Sequence, residues 1–278
     1  MKLTILKEKK YLSKIPMKQI IYFILLIVVF SSCKKVIQLD LNNNTDVLVI
    51  DGAVTNAAGP YYVKLNKSVN FNATSSYPAV TNAQVIITDN VNQRDTLKHA
   101  GNGLYKTNSL KGIEGRTYLL SVLADGKTYS AQSIMPTAVK LDSLRISYTN
   151  ANDEINYNVV PMYTDPMVFG NSYRFIQTIN GKLDETYFAF NDNLNNGLPN
   201  QRPLRSGDPD LKLLLGDLVE IEMQCLSLET YTYYYSLSQQ TRNGGGATTP
   251  ANPPNNITGG ALGIFSALTS QKKSVVIK

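Results

Sequence analysis

The feature that most constrains the fold is a repeated alternation of apolar and polar residues with a period of two. It is clearest in "RTYLLSVLADGKTYSAQSIM", residues 116–135, where Asp125-Gly126 separates two runs rich in β-forming residues. An Asp-Gly pair in this position favours the type I′ turn, whose twist matches that of a β-hairpin. Similar short runs recur about every ten residues without a long helical pattern between them. The sequence therefore predicts a mainly β protein.

The alternation divides the chain into two predicted domains. The first, residues 45–137, starts at "VLVIDGAV" and ends near Pro136. This length is normal for an immunoglobulin-like β-sandwich, which is the predicted fold of this half. The second, residues 138–278, opens with the strand-like run "KLDSLRISYT" and is predicted to be a β-rich C-terminal domain.

One segment of the second domain fits two secondary structures. In "SLETYTYYYSLSQQ", residues 227–240, alternate tyrosines suit a strand. However, Leu228, Tyr231 and Tyr235 also lie at helical spacing behind Ser227, which is a suitable N-cap residue. The pattern alone leaves both readings open.

The N-terminal region carries an apolar run from Ile20 to Phe30 that is preceded by lysines. As a helix, this run would extend about 16 Å, whereas a membrane-spanning helix needs about 20 apolar residues. It matches the central part of an export signal instead. We therefore expect residues 1–32 to be a signal peptide, with Met17 as an alternative start, and the polar residues 33–44 to be a tether.

The chain has two cysteines, Cys33 and Cys225, which an exported protein can join. Cys225 lies in "DLVEIEMQC", where it shares the apolar face of a predicted strand with Val219, Ile221 and Met223. A thiol on such a face is most simply a buried core residue. We therefore expect Cys225 to be buried and unpaired, which leaves Cys33 for another role.

Cys33 ends the segment Phe30-Ser31-Ser32-Cys33, which resembles the lipobox of bacterial lipoproteins, although leucine is usual at the position of Phe30. The resemblance implies that Cys33 is acylated and that membrane lipid is a partner. Two or three acyl chains would anchor the protein firmly, since one chain binds only marginally. Lys34, rather than aspartate, after the cysteine implies the outer membrane of a Gram-negative cell. Whether the protein faces the periplasm or the cell surface stays open.

The net charge of +6 is concentrated in the predicted signal peptide. Residues 1–32 contain six lysines and one glutamate, which leaves a charge of about +1 for the rest of the chain. Nucleic-acid binding needs a basic patch, and we therefore expect no nucleic-acid partner.

The candidates for catalysis each have a simpler structural reading. His99 is the only histidine and lies in a polar turn. One histidine and one buried thiol are too few ligands for a zinc site, and no G-x-S-x-G segment accompanies His99 to indicate a Ser-His-Asp triad. Asp208 and Asp210 suit a turn before a strand. Glu220 and Glu222 share one strand face, about 7 Å apart, which suits either an inverting glycosidase pair or a solvated surface. We therefore predict no metal, no cofactor and no enzymatic activity, with an envelope hydrolase that uses surface carboxylates as the alternative.

A binding surface is predicted around the tyrosine-rich segment. It lies beside the long loop "NGGGATTPANPPNN", residues 243–256, and aromatic rings next to an adaptable loop suit docking. The alternative is that Tyr231 and Tyr235 fill the core of the domain, where alternate tyrosines of an amphipathic element usually lie. The candidate residues are Tyr231, Tyr233, Tyr234, Tyr235, Asn255 and Asn256.

Two short segments resemble a modification site. Asp95-Thr96-Leu97 and Asp142-Ser143-Leu144 are similar to the Asp-Ser/Thr-apolar acceptor of an O-glycosylation system in some Gram-negative bacteria. The resemblance makes Thr96 and Ser143 candidate O-glycosylation sites, and it requires both to be accessible to solvent.

The C-terminal segment "NITGGALGIFSA", residues 256–267, resembles the envelope lipoprotein family called domain of unknown function 4249. "LVIDGAVTN", "GLYKT", "GRTYLLSV" and the lipobox fit the same family. The resemblance implies a helix at residues 228–240 and an accessory role beside an outer-membrane transporter. We therefore expect a non-enzymatic binding or accessory component of an envelope complex, with a purely structural scaffold as a further alternative.

Overall fold

The computed structural model describes residues 46–69, 77–151, 154–193, 196–208, 210–242 and 252–278. These residues belong to one compact unit, Asn44–Lys278. In this described part of the chain, no helix has the length and hydropathy that a bilayer span requires.

The described residues form sixteen β-strands and one α-helix, which confirms the prediction of a mainly β protein. The elements are β1 (Leu48–Thr55), β2 (Tyr62–Lys67), β3 (Gln84–Asp89), β4 (Arg94–Thr96), β5 (Lys98–His99), β6 (Leu104–Lys106), β7 (Thr117–Ala124), β8 (Lys127–Ile134), β9 (Ser143–Ala151), β10 (Glu154–Met162), β11 (Ser172–Ile179), β12 (Lys182–Leu183), β13 (Phe188–Asn191), β14 (Leu218–Cys225), α1 (Leu228–Arg242), β15 (Ile257–Thr258) and β16 (Leu262–Val276).

These strands form three sheets. The largest has nine strands in the order β12-β11-β14-β16-β1-β2-β6-β5, with β13 also paired to β11. A five-stranded sheet has the order β15-β8-β7-β3-β4, and β9 and β10 form a separate two-stranded ribbon.

The hairpin predicted at Asp125-Gly126 joins β7 and β8, and both turn residues have the positive φ angles of a type I′ turn, 50° and 74°.

Strand β16 connects the N-terminal and C-terminal halves of the large sheet. Its first part runs parallel to β1, from the pair Val49–Leu262 to the pair Thr55–Leu268. Its second part runs antiparallel to β14 and begins at the pair Cys225–Thr269. The C-terminal strand β16 therefore lies between β1 and β14 and joins strands from both ends of the chain into one sheet.

The close pairing of β16 with β1 depends on Gly263. Its φ angle is +100°, and a Cβ atom built there would lie 2.0 Å from the carbonyl oxygen of Ile50. Only glycine adopts this conformation readily and leaves room for the neighbouring backbone.

The alternation in the strands builds two large apolar cores, and a smaller apolar cluster lies under α1. The first lies between the five-stranded sheet and the β1–β2–β6 part of the large sheet, with Ile50, Val63 and Leu120 fully buried. It includes residues 257–267 as well as residues 48–135. The second core contains residues between 141 and 277, including Cys225.

The predicted faces of β14 are confirmed. Val219, Ile221, Met223 and Cys225 are buried in the second core. Cys225 is a free thiol with 3% of its surface exposed, as predicted. Burial raises the pKa of this thiol, and the backbone N–H of Val139 lies 3.4 Å from its Sγ atom.

The tyrosine-rich segment is the helix α1, which the family resemblance favours over a strand. The Ser227 hydroxyl accepts a hydrogen bond of 3.4 Å from the Thr230 N–H at the start of the helix. Glu229 in the first turn suits the positive end of the helix dipole. The helix lies on the outer face of the large sheet, where it packs against β11, β13 and β16.

Candidate functional site

The described residues form a cleft of about 390 Å³ beside α1. Its floor is the outer face of β16, β1 and β2, and Tyr233 from α1 forms part of one wall. Tyr77 and Pro253 also line it. The volume falls within the range of roughly 300–1,000 Å³ that is typical of small-ligand sites. We refer to this feature as the α1 cleft.

Strand alternation determines which side chains reach the floor of the cleft. In β1, Leu48 and Ile50 point into the first core, so Val49 and Asp51 point outward. In β2, Lys64 likewise points outward. Asp51 and Lys64 are directly opposite each other in the antiparallel register, and both line the cleft.

These two opposite charges do not neutralise each other through a close ion pair. Within the described part of the chain, neither the Asp51 carboxylate nor the Lys64 ammonium makes a side-chain hydrogen bond or a salt bridge. Burial in the cleft raises the pKa of Asp51, while the charges of Arg174 and Lys64 act in the opposite direction. The Asp51 side chain nevertheless keeps access to solvent at the mouth of the cleft.

Tyr233 brings an aromatic ring and a phenol group to the same cleft. Burial, the adjacent Tyr234 and the negative charge of Asp51 together raise the pKa of Tyr233 to about 12. The phenol is therefore protonated at neutral pH and is able to donate a hydrogen bond to a ligand.

The other three candidate tyrosines lie outside the cleft. Tyr231 is buried against Leu226 and Leu268 on the inner side of α1, and its ring stacks on Tyr235 at 5.5 Å between centroids. Tyr234 packs under the guanidinium of Arg174, which lies 3.8 Å from the ring centroid. Of the four candidate tyrosines, only Tyr233 therefore lines the cleft. The other three make packing contacts of α1 with itself or with the sheet.

Asn255 and Asn256 have internal roles. The Asn255 amide donates to the carbonyl of Ala261 at 3.2 Å. The Asn256 amide donates to the carbonyls of Gln132 and Phe265 at 2.9 and 2.7 Å, and thus links the five-stranded sheet to β16. These hydrogen bonds explain both asparagines without a ligand. Residues 243–251 of the predicted docking loop lie outside the described residues.

Both glutamates of β14, Glu220 and Glu222, form polar contacts with the neighbouring strand β16. Lys272 on β16 forms salt bridges with Glu220 at 3.0 Å and with Glu222 at 3.5 Å. Glu222 also accepts hydrogen bonds of 2.7 Å from Ser270 and from Gln224. The two carboxylates thus share a cation, which gives them a structural role between strands.

The remaining candidates for catalysis lie apart from the α1 cleft. His99 is exposed on β5 and packs its ring on Tyr105. The backbone N–H of Asp210 donates to the Asp208 carboxylate at 2.9 Å, which is the predicted turn. Among the described residues, no group of three or more His, Cys, Asp or Glu side chains is arranged to hold a metal ion.

Both candidate O-glycosylation residues, Thr96 and Ser143, are exposed. Their preceding aspartates differ, because Asp142 is also exposed whereas Asp95 is 4% exposed and holds the backbone of the following loop. The candidate lipidation residue, Cys33, lies outside the described residues, as do the predicted signal peptide and tether.

Sequence reasoning missed most of the α1 cleft. The alternation of Val63 and Leu65 with Lys64 shows which residues of β2 point outward. It does not show that β1 lies beside β2 in the Asp51–Lys64 register, or that Tyr233, far away in the sequence, covers the same face. Only the order and register of the strands in the folded sheet show that these residues lie together.

Comparison with protein-family models gives one match. The family described as "Domain of unknown function (DUF4249)" matches residues 34–274, which include β1 to β15, α1 and nearly all of β16. A comparison with curated proteins finds no match. Because the family model covers most of the sequence, the chain belongs to the DUF4249 family.

Proposed function

We propose that this member of the DUF4249 family is a lipid-anchored protein of the bacterial outer membrane that binds a ligand in the α1 cleft. In this proposal the protein is a non-enzymatic accessory component of an envelope complex, with an outer-membrane transporter as its partner. The resemblance of residues 30–33 to a lipobox supports the anchor. The α1 cleft carries the binding role.

Three properties of the α1 cleft support ligand binding. It is open to solvent, its volume suits a small ligand, and it combines apolar walls with a few polar groups. Its polar groups include a carboxylate, an ammonium group and a phenol, from Asp51, Lys64 and Tyr233. Convergent polar groups in an apolar cleft are the usual composition of a binding site.

The hydrolase alternative lacks comparable support. An inverting pair needs one carboxylic acid and one carboxylate with a substrate between them. Glu220 and Glu222 instead both form salt bridges with Lys272, which occupies the space between the two carboxylates and the neighbouring strand. This arrangement supports the structural reading of the pair.

The anchor is tested by replacing its attachment residue. We expect the wild-type protein to fractionate with the outer membrane and Cys33→Ala to appear in the soluble periplasmic fraction, because the acyl chains supply the membrane affinity. Retention of the variant in the membrane fraction would contradict lipidation at this residue.

The binding role is tested by purifying the protein from detergent-solubilised membranes and identifying co-purifying molecules by native mass spectrometry. We expect Tyr233→Ala to lose a ligand that the wild type retains, since this ring lines the cleft. Tyr235→Ala is the matched control, because Tyr235 lies on the same helix, is 43% exposed and stacks on Tyr231 outside the cleft. Identical co-purifying molecules for all three proteins would refute the cleft as the binding site.

A further inference from the structure

The loop between β10 and β11 presents three consecutive apolar side chains to solvent. Met167, Val168 and Phe169 are 85%, 74% and 74% exposed, and they are the most exposed of the large apolar residues that the structure describes. Leu198, which is 55% exposed, lies on the adjoining loop. Single exposed apolar residues are common on protein surfaces, whereas a cluster of them marks a site of interaction. We refer to these four residues as the apolar tip.

Buried polar groups hold the backbone of the apolar tip in place. The Asp192 carboxylate accepts hydrogen bonds from the backbone N–H groups of Gly170 and Asn171 at 2.7 and 2.9 Å. The backbone N–H of Asp165 donates to the carbonyl of Leu198 at 3.1 Å and so links the two loops. Asp165 and Asp192 are only 4% and 3% exposed. These bonds fix the loops in the conformation that turns the apolar side chains outward.

The composition and size of the apolar tip suit lipid better than a protein surface. Residues 166–171 and 196–200 contain no Lys, Arg, Asp or Glu, although these types make up 17% of the chain. A bilayer disfavours charged side chains, while apolar side chains gain free energy when they leave water. A stable protein–protein interface buries about 800 Å² on each partner and uses roughly 20–30 residues of each. The tip offers four apolar side chains, which is enough for a shallow insertion into lipid.

The sheet topology directs the apolar tip toward the end of the molecule that carries the predicted anchor. Strand β1 is parallel to β16, β14 is antiparallel to β16, and β11 is antiparallel to β14, so β11 is parallel to β1. The chain therefore enters β1 and β11 from the same end of the large sheet. The segment that leads into β11 contains Met167, Val168 and Phe169, and the segment that leads into β1 contains the candidate lipidation residue Cys33.

The predicted tether is long enough for the anchor and the tip to reach one bilayer. Val49 of β1 pairs with Leu262 of β16, whereas Tyr173 of β11 lines up across β14 with Thr269, seven residues further along β16. This offset is about 23 Å at roughly 3.3 Å per residue. A chain of twelve residues, the length of the predicted tether 33–44, spans at most about 40 Å. The offset between the strands therefore does not separate the anchor from the tip.

We propose that the apolar tip inserts into the surface of the lipid bilayer that holds the acylated Cys33. Met167, Val168 and Phe169 lie at the boundary between the headgroups and the acyl chains, where apolar groups of peripheral proteins bind. The tip is then a second contact with the membrane, and it fixes the orientation of the protein relative to the bilayer. This inference rests on the lipid anchor of the proposed function, but it does not depend on ligand binding in the α1 cleft.

The test measures the surroundings of the tip in the full lipidated protein, reconstituted into vesicles of phosphatidylethanolamine and phosphatidylglycerol. An environment-sensitive dye is attached to the thiol of Val168→Cys, while Cys225 is buried and so shielded from the dye. We expect the dye emission to shift to shorter wavelength in vesicles. We also expect most of the emission to be lost when the lipids carry a nitroxide quencher near their headgroups.

Leu215→Cys with the same dye is the matched control. Leu215 is 65% exposed, and it precedes β14, which enters the sheet from the opposite end to β1 and β11. We therefore expect the dye at this position to keep the emission of a dye in water and to be insensitive to the lipid quencher. Thermal melting of both labelled variants verifies that they are folded.

Two results would overturn the inference. One is the same water-like emission at positions 168 and 215, with both dyes quenched by iodide in the aqueous phase. The other is protection of position 168 from iodide without quenching by the lipid, which would assign the tip to a protein contact such as a second copy of the chain. Flotation of the protein with the vesicles reports separately on the anchor. A protein that floats with a water-exposed tip retains the anchor and refutes insertion, whereas a protein that does not float contradicts the anchor and this inference with it.

Discussion

Asp95 provides a strong test of how polar contacts stabilise the first core. The Asp95 carboxylate accepts hydrogen bonds from the backbone N–H groups of Asn108, Ser109 and Leu110 at 2.8–2.9 Å. The side-chain amide of Asn108 donates a fourth bond at 2.8 Å. Asp95 thus fixes the loop that follows β6, and Leu110 from this loop is buried in the first core.

Replacing Asp95 with alanine would leave these four donors without their acceptor. A buried donor that loses its partner costs about 1–3 kcal/mol, and a loop is able to recover part of that cost by turning donors toward water. We therefore expect Asp95→Ala to lower the free energy of unfolding by about 3 kcal/mol. For a compact unit of this size, the melting temperature should fall by about 6–12 °C.

The pH dependence gives an independent measure of the same contacts. Burial alone would raise the pKa of Asp95, but the hydrogen bonds from the loop outweigh it and hold the pKa below its ordinary value. The stabilisation is therefore complete above the unfolded-state pKa of about 3.9 and is lost as the pH falls through the lower folded-state value. We expect the stability difference between wild type and Asp95→Asn to shrink below about pH 4.

The assay is thermal and urea unfolding followed by circular dichroism. Asp142→Ala is the control, because Asp142 is the exposed aspartate of the other candidate glycosylation segment, and its substitution should change stability by less than about 0.5 kcal/mol. We expect the melting temperature of Asp95→Ala to fall well below that of the wild type. A value within about 2 °C of the wild type would refute the structural role of this carboxylate.

Further predictions concern the second core, the sheet and modification. Cys225 should resist alkylation until the protein is denatured, and Cys225→Ala should cost about 1 kcal/mol in urea unfolding, because only a small buried group is lost. Gly263→Ala should cost about 3 kcal/mol or more, whereas Gly260→Ala, which also has a positive φ but open space around it, should cost only about 1 kcal/mol. O-glycosylation at Thr96 and Ser143 predicts an intact mass above that of polypeptide plus lipid, and a mass equal to that sum would exclude it.

The local patterns in the sequence predict the strands well. The hairpin at Asp125-Gly126 forms as expected because turn chemistry and alternation act over neighbouring residues. The faces of β14 follow from the same alternation, and so does the buried position of Cys225. The sequence pattern of residues 228–240 fits both a helix and a strand, because Tyr231 and Tyr235 match the period of each. The family resemblance favours a helix, and the structure has a helix there.

The pairing of distant strands could not be read from the sequence. Nothing in "GALGIFSA" shows that β16 lies parallel to β1, since strand pairing depends on backbone hydrogen bonds that most residues are able to make. The one local sign is Gly263, whose missing side chain permits the close approach to Ile50. Asn256 is similar, because a polar loop residue gives no indication that its amide joins two sheets.

The position of the α1 cleft follows from the way the helix covers the large sheet. The outer face of this sheet extends over β11, β14, β16, β1 and β2, whereas α1 packs on β11, β13 and β16. The helix therefore shields the C-terminal side of this face, and Tyr233 marks the edge where the cover ends over β1. Asp51 and Lys64 lie just beyond that edge, and both side chains are exposed to solvent. The edge of α1 is therefore the place on this face where we propose that a ligand binds, because only there do the ring of Tyr233 and the uncovered strands β1 and β2 line the same cleft.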